Sequence, residues 1–306
     1  MKKEASLTFV FLFALIIISL PLISAGFPEF WNKVTGKVTT SPVDLNITVT
    51  SGSAPLIYSV QNSTMTDVSS GLNEGPNPTY ITINFSVSDT DGNANINDSS
   101  ARINFTKTGE TTRENLTCTE SGSSGNYANY TCNVTMWWWD GAGLWNITAY
   151  ISDINSNSGI NDSQKFSVGT TAGFQVTPSS LTFSSISPGA TNQQATNDPM
   201  SLNNTGNLVR NVQINATNLY GEQNNVYALG ASNFSVNTAD ACAGTAMVSQ
   251  TYTSISGASL PIGNYTINDG TAQEQLYFCL DSSNSNLISQ SYSTSEAGAW
   301  TIKIIA

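Results

Sequence analysis

The residues best suited to chemistry form two runs of aspartate and asparagine. The first run contains Asp89, Asp91 and Asn93 around Gly92, and Asp153 begins the second. Calcium binds six to eight oxygen atoms from carboxylates, amides and carbonyls, which both runs supply. The first run lacks the glutamate that closes an EF-hand loop, so it is not an EF-hand. Together the two runs predict a calcium site, with calcium as the one expected cofactor.

A simpler interpretation of the same residues needs no ion. Asp and Asn are common in polar loops because their side chains accept hydrogen bonds from nearby backbone N–H groups. The two runs would then be turn formers. The calcium hypothesis requires that the loops containing Asp89 and Asp153 meet at one end of the fold, and the sequence leaves both interpretations open.

The composition excludes several classes of enzyme. The chain has no histidine, so Ser-His-Asp and Cys-His arrangements for nucleophilic catalysis are impossible. No glycine-rich phosphate-binding motif is present, so a nucleotide site is not expected. A carboxylate pair for glycoside hydrolysis is compatible with the composition, but the acidic residues stand mostly beside Gly and Asn. We therefore expect a protein that is not an enzyme.

The four cysteines predict two disulfides. An even number of cysteines in an exported chain indicates disulfide bonding. Zinc binding would need Cys-x-x-Cys spacing or histidine, and the sequence has neither. Of the three possible pairings we expect Cys118–Cys132 and Cys242–Cys279, because each half of the chain contains two cysteines.

The N-terminal residues 1–25 resemble an export signal in their pattern. Lys2 and Lys3 precede an apolar run over residues 7–23, and small residues follow it. The run is also about long enough to remain as a membrane anchor if it is not cleaved after Ala25. The net charge of −11 disfavours nucleic acid and anionic lipid. We expect an extracellular or cell-envelope location, with membrane contact only through an uncleaved N-terminal segment.

The rest of the sequence is typical of β-sandwiches. After a linker at 26–44, short segments rich in Val, Ile and Thr alternate with turn residues, and no helical period is sustained. We predict an all-β fold with two immunoglobulin-like β-sandwich domains, 45–168 and 173–306, separated by the Gly- and Thr-rich segment 169–173. The expected strands are 45–50, 55–60, 79–88, 101–107, 114–119, 129–139, 144–152 and 163–168, then 174–177, 181–186, 199–203, 208–216, 232–236, 247–254, 263–267, 273–280 and 298–305.

Asn-x-Ser/Thr triplets recur along the chain. They are N-glycosylation acceptors in an exported protein. In Asn84-Phe85-Ser86 the middle residue is apolar, so the triplet is also part of an amphipathic strand with Asn facing solvent. We expect Asn104 and Asn146 to face solvent in the same way. The acceptors expected to carry glycan are Asn84, Asn104, Asn115, Asn133, Asn146, Asn203, Asn215, Asn233 and Asn264.

Three consecutive tryptophans, Trp137, Trp138 and Trp139, precede the turn Asp140-Gly141. Successive residues of a strand face opposite sides, so the three cannot all enter one core. We expect at least one to be buried in the core. The others would stack on an outer face or form an aromatic patch for a partner.

Two parts of the sequence resemble known surface proteins. Residues 88–93, 130–150 and Asp153, with the run Asp140-Gly141-Ala142-Gly143-Leu144-Trp145, are similar to immunoglobulin-like repeats of archaeal cell-surface proteins. Residues 181–189 and 203–207 resemble the sandwich domains of TasA-type surface fibres. Neither motif carries catalytic residues. The resemblance implies a structural or adhesive component of a cell surface.

Two functions follow from these expectations. The first is a structural glycoprotein of a surface layer or fibre, whose partners are further copies of itself or other surface proteins. The second is an adhesin that binds glycan or a partner cell surface through the tryptophans and the Asp/Asn loops. Ordered self-assembly favours the first, and glycan binding by a monomer favours the second.

Overall fold

The fold is all-β, as expected. The computed structural model describes residues 52–61 and 65–306, and these contain twenty strands, three single-turn 3₁₀ helices and no α-helix. Residues Gly52–Ala306 belong to one compact unit. No helix in the described residues could cross a membrane. The export signal, the linker 26–44 and the strand expected at 45–50 lie outside the described residues.

The first half, residues 52–168, contains two four-stranded antiparallel sheets, β1-β2-β6-β5 and β4-β3-β7-β8. This is the strand order of an immunoglobulin-type sandwich with one further edge strand, β4, beside β3. The strands are β1 (Leu56–Gln61), β2 (Thr79–Ser88), β3 (Ile96–Thr106), β4 (Arg113–Asn115), β5 (Thr119–Ser124), β6 (Tyr127–Met136), β7 (Gly143–Asp153) and β8 (Ser158–Val168).

The two sheets share one hydrophobic core, and their sequences explain why. Alternate residues of a strand face one side, and in β2 and β7 every second residue is apolar. These residues are all 0% exposed, which confirms the alternation expected from the sequence. They are Ile81, Ile83, Phe85 and Val87 in β2, and Trp145, Ile147, Ala149 and Ile151 in β7.

The second half, residues 174–306, has shorter strands and its own core. Strand β18 is central: it pairs with β15 on one edge and with β10 and β11 on the other. A three-stranded sheet, β17-β12-β20, packs across the core, and β14-β13-β19 form a smaller sheet. The strands are β9 (Phe174–Thr177), β10 (Thr191–Gln194), β11 (Met200–Asn204), β12 (Arg210–Asn215), β13 (Leu219–Gly221), β14 (Ala228–Leu229), β15 (Phe234–Asn237), β16 (Thr245–Ala246), β17 (Tyr252–Leu260), β18 (Gln273–Ser282), β19 (Tyr292–Ser293) and β20 (Thr301–Ile305).

Three strand predictions were wrong, and a fourth, 247–254, was wrong over residues 247–251 because β17 begins only at Tyr252. Residues 181–186 form no strand and make one isolated bridge, between Phe183 and Ala195. Residues 263–267 contain a 3₁₀ turn, because the Asn264 side chain accepts a hydrogen bond from Thr266 N (3.1 Å) and competes with sheet pairing. Residues 114–119 hold the end of β4 and the start of β5, where the chain crosses from one sheet to the other.

Candidate functional site

The two aspartate-rich runs meet at one end of the first half. Asp89 follows β2 and Asp153 ends β7, and the loop after Asp89 leads directly into β3, the neighbour of β7. Ile154 N donates a hydrogen bond to the carbonyl of Asn95 (2.8 Å) and ties the runs together. We call residues 52–53, 89–95 and 153–157 the acidic pole. The convergence that the calcium hypothesis requires is present.

Asp153 is held by hydrogen bonds from its own loop. Its Oδ1 accepts from Asn155 N (2.9 Å) and Asn157 N (2.7 Å), and its Oδ2 accepts from Asn157 Nδ2 (2.7 Å). Burial raises the pKa of this carboxyl, but the hydrogen bonds outweigh it and the pKa lies below its ordinary value. Asp153 is therefore a stable anion that shapes its turn.

Gly52 and Ser53 lie beside two carboxylates of the acidic pole. Ser53 N donates a hydrogen bond to Asp91 Oδ2 (2.5 Å), and Asn157 Nδ2 donates to the carbonyl of Gly52 (3.1 Å). A Cβ at Gly52 would lie 3.1 Å from Asp153 Oδ2 and 3.5 Å from Asp91 Oδ2. The nearest atom to such a Cβ would be Asn155 Nδ2 at 2.8 Å, so a side chain here would displace the Asn155 amide and press on the Asp153 carboxylate.

Asp89 has a buried carboxylate oxygen without a hydrogen-bond partner among the described residues. It is 1% exposed; its Oδ1 accepts from Asp91 N (2.8 Å), whereas its Oδ2 is buried without a partner in the described chain. Asn93 uses its backbone N–H to bond Gly125 O (2.9 Å). The carboxylates of Asp89, Asp91 and Asp153 do not all approach within 4.8 Å of one another. The structure explains these residues as turn formers, and calcium stays a prediction.

The tryptophan cluster does not form an open aromatic patch. Trp137 and Trp139 stack on each other with ring centres 5.1 Å apart, and Trp138 lies edge-on to both. Trp138 is 1% exposed and packs against Gly75 and Tyr265 (5.6 Å) rather than within the core of the first half. It is buried where the two halves meet, a position that the sequence analysis did not distinguish from the core.

A buried hydrogen-bond network joins the two halves. Asn207, 2% exposed, accepts from Thr171 N (2.7 Å) and donates through Nδ2 to Asp140 O (3.0 Å) and Gly169 O (3.0 Å). The Thr171 hydroxyl accepts from Leu72 N (2.9 Å) and donates to Leu72 O (3.0 Å). We call these five residues the junction. The side chains of Asn207 and Thr171 thus satisfy backbone groups of the first half and of the segment 169–173.

Close backbone contacts reinforce the junction. Gly75 N donates to Thr205 O (2.9 Å), and Asn207 N donates to Thr171 O (3.0 Å). A Cβ at Gly206 would meet the carbonyl oxygen of Thr171 at 2.2 Å, so only glycine permits this approach. The sequence analysis missed the junction. One usable signal was the short gap between β8 and β9, which forces the halves close together.

An ion pair supports the hairpin that carries the tryptophans. Arg113 in β4 donates to both oxygens of Asp140 at 2.5–3.0 Å, and Trp137 N donates to Asp140 Oδ2 (2.7 Å). Burial raises the pKa of the Asp140 carboxyl above its ordinary value, and these hydrogen bonds oppose part of the rise. Because Asp140 O bonds Asn207, the pair also positions the junction.

Both disulfides have the predicted pairing. Cys118–Cys132 and Cys242–Cys279 have Cα–Cα distances of 4.5 Å and 5.2 Å, within the usual range. Each bridge lies within one half. Asp281 comes close to the second bridge, but a disulfide offers no thiolate to a metal. The two bridges are consistent with an oxidising, extracellular environment.

The expected glycan acceptors differ in how far their side chains are exposed. Asn133 and Asn146 are exposed, whereas the amide oxygens of Asn104 and Asn215 are buried without a partner among the described residues. The remaining acceptors are half-buried. The nine are Asn84, Asn104, Asn115, Asn133, Asn146, Asn203, Asn215, Asn233 and Asn264.

Hydroxyl groups link these asparagines across the outer face of the β1-β2-β6-β5 sheet. Thr82 Oγ1 donates to Asn133 Oδ1 (2.6 Å), and Thr131 Oγ1 donates to Asn84 Oδ1 (2.8 Å). Both pairs join β2 to β6.

No family model matches the sequence, and no curated protein matches it either.

Proposed function

We propose that this chain is a non-enzymatic structural glycoprotein of a cell-surface layer or fibre, secreted or held in the cell envelope. The observation that carries the proposal is the junction. Asn207 of the second half and Thr171 of the linking segment are both buried, and their side chains bond the backbone of Asp140 and Leu72 in the first half. These contacts support a fixed relation between the halves. A lattice or fibre needs subunits with a fixed arrangement of their halves, because flexible subunits do not repeat at a constant spacing.

The covalent cross-links support the same proposal. Each half contains its own disulfide, and closing a loop of this kind stabilises a fold by about 3 kcal/mol in the chain-entropy model. The net charge of −11 suits an exterior bathed in salt and divalent cations. Stability outside the cell is what a permanent surface component requires.

The outer faces support the glycoprotein part of the proposal. Rows of Asn, Thr and Ser cover the outer side of β2 and β6, while the inner side is apolar. Glycan on the exposed acceptors Asn133 and Asn146 would cover opposite sheets of the first half. Partners would therefore be other copies of the chain or other surface proteins that contact its remaining faces.

A second candidate function is an adhesin, and one observation favours it. Tyr58 and Tyr127 are 51% and 56% exposed and meet edge-to-face at 6.0 Å on the outer face of the β1-β2-β6-β5 sheet. Exposed aromatic rings are suited to stacking on sugar rings. The tryptophans are less suited, because Trp138 is buried and its two neighbours cover each other's faces.

Two measurements on the purified, exported chain separate the candidates. Electron microscopy and light scattering test assembly, and a glycan array tests binding. The structural function predicts ordered assemblies and no array signal. A monomer that binds glycan, and loses that binding in Tyr58→Ala and Tyr127→Ala variants, would overturn it in favour of the adhesin.

A further inference from the structure

A further glycan acceptor lies on the outer face of the β1-β2-β6-β5 sheet, and it is not among the nine named above. Asn129 in β6 begins the triplet Asn129-Tyr130-Thr131. Asn129 is exposed, whereas Tyr130 is 0% exposed and its ring stacks on Phe85 in the core. The triplet therefore presents its asparagine to solvent, where an N-linked glycan has to lie.

The two strands that flank β6 leave room beside Asn129. The residues directly opposite it are Ser86 in β2 and Gly122 in β5. Ser86 is small and 9% exposed, and a Cβ built on Gly122 would meet no atom within 4 Å. A glycan is bulky, and neither of these two residues obstructs one at Asn129.

A hydrogen bond orients the acceptor. The Ser86 hydroxyl donates to Asn129 Oδ1 (2.7 Å), so the oxygen of the amide is directed toward β2. A glycan bonds to Nδ2, the other branch of the same planar amide. Attachment of a sugar therefore leaves the hydrogen bond from Ser86 intact.

Two exposed aromatic rings lie beside Asn129 on the same face. Tyr127 stands two residues before Asn129 in β6, so their side chains leave the same side of the strand about 7 Å apart. Tyr58 in β1 meets Tyr127 edge-to-face, with ring centroids 6.0 Å apart. Both residues are more than half exposed. Large aromatic rings that are this open are typical of a contact surface.

The two tyrosines form a corner above short polar side chains. Ser88 in β2 lies opposite Tyr127, and Ser86 lies opposite Asn129. The corner thus has aromatic walls and hydroxyl groups at its base. A sugar ring matches this surface, because its C–H groups pack on aromatic rings while its hydroxyls bond to serine and tyrosine hydroxyls.

The position of Asn129 favours its glycan over those of other acceptors on this face. Asn84 and Asn133 are level with residues 131 and 133 of β6, about 14 Å and about 20 Å along the strand from Tyr127. A sugar attached to Asn129 is held near the rings by its own covalent bond. Packing it there costs less entropy than binding a free sugar, because the attachment supplies a high effective concentration.

We propose that Asn129 carries an N-linked glycan whose first sugars pack on Tyr127 and Tyr58. In the transfer, a bond forms between Asn129 Nδ2 and C1 of the first sugar, the bond between C1 and the phosphate of a lipid-linked oligosaccharide donor breaks, and Nδ2 releases one proton to solvent. The proposal rests on the proposed function of a glycoprotein. It gives the tyrosine pair an occupant within the chain, in place of the foreign glycan that an adhesin would bind.

Glycopeptide mass spectrometry of protein from its native source tests the attachment. We expect glycan on the peptide that contains Asn129. An unmodified Asn129 beside modified Asn133 and Asn146 would overturn this inference and leave the glycoprotein function standing. A chain with no glycan at any acceptor would contradict that function as well.

Hydroxyl-radical footprinting of the full chain tests the contact with the rings. Asn129→Gln removes the acceptor and keeps an amide beside Ser86, and Asn133→Gln is a matched control that removes an acceptor farther along the same face. In glycosylated protein, Tyr58 and Tyr127 should react several-fold faster in Asn129→Gln than in the wild type or in Asn133→Gln. In protein made without glycan, all three chains should react alike. Equal reaction in the glycosylated chains, or a difference that persists without glycan, would overturn the contact.

A double-mutant cycle gives a second readout. In glycosylated protein, Tyr127→Ala should lower Tm by about 2–4 °C more in the wild type than in Asn129→Gln, because only the wild type has a sugar to lose from the ring. The same cycle with Asn133→Gln should be additive, as should both cycles in protein made without glycan. Additive effects of Tyr127→Ala and Asn129→Gln in glycosylated protein would show that the glycan does not pack on Tyr127.

Discussion

Replacing Asn207 by alanine removes the centre of the junction. The side chain makes three hydrogen bonds, to Thr171 N, Asp140 O and Gly169 O, at 2.7–3.0 Å. Each bond contributes about 1 kcal/mol net, and each partner left buried and unsatisfied costs more. The expected loss is about 3–5 kcal/mol in the free energy of unfolding. For a chain of this length, that lowers Tm by about 10 °C.

Thermal melts of the full chain measure this effect, with limited proteolysis at residues 169–173 as a second readout. The control is Asn126→Ala, an exposed position where a change within about 0.5 kcal/mol is expected. Asn207→Asp should be nearly as harmful as alanine, because a carboxylate cannot donate to the carbonyls of Asp140 and Gly169. If Asn207→Ala melts like the control and segment 169–173 is cleaved no faster, the junction does not hold the halves together and the reasoning is wrong.

Three further predictions concern the first half. The pKa of Asp153 is lowered in the folded state. Its contribution to stability is therefore present above about pH 4 and is lost as the pH falls through the folded pKa. Asp153→Asn should flatten the decline of Tm with acid, and parallel curves of Tm against pH for the variant and the wild type would contradict this. If calcium binds the acidic pole, it should raise Tm over a chelator control and Asp89→Asn should abolish the shift, whereas coincident curves would leave these residues as turn formers. Mass spectrometry of native protein should find glycan at Asn133 and Asn146 before Asn104, and a bare polypeptide mass would contradict the glycoprotein proposal.

The parts of the fold that depend on local pattern could be predicted from sequence. The bounds of β2 were predicted as 79–88 and those of β9 as 174–177, as the structure has them. Alternation of apolar and polar residues fixes such strands locally. The pairing of the disulfides was predicted because each half of the chain contains two cysteines. Two-residue strands such as β14 and β16 were missed because so short a segment cannot show an alternation of apolar and polar residues.

The junction could not be predicted, because its parts are distant in sequence. Thr171 and Asn207 look like ordinary loop residues, and only the packed structure shows that they bond Leu72 and Asp140. Trp138 was expected in a core, and its burial against Tyr265 depends on how the halves meet. Likewise, the sequence placed a strand at 181–186, where the structure instead has one wall of a cleft.

The most direct test of the structural function is the location and order of the protein in intact cells of its native source. Cryo-electron tomography with a specific label would show it. We expect labelled protein outside the cell in a regular layer or filament, with one repeat per molecule. Labelled protein that is dispersed, without any repeat, would contradict the central claim.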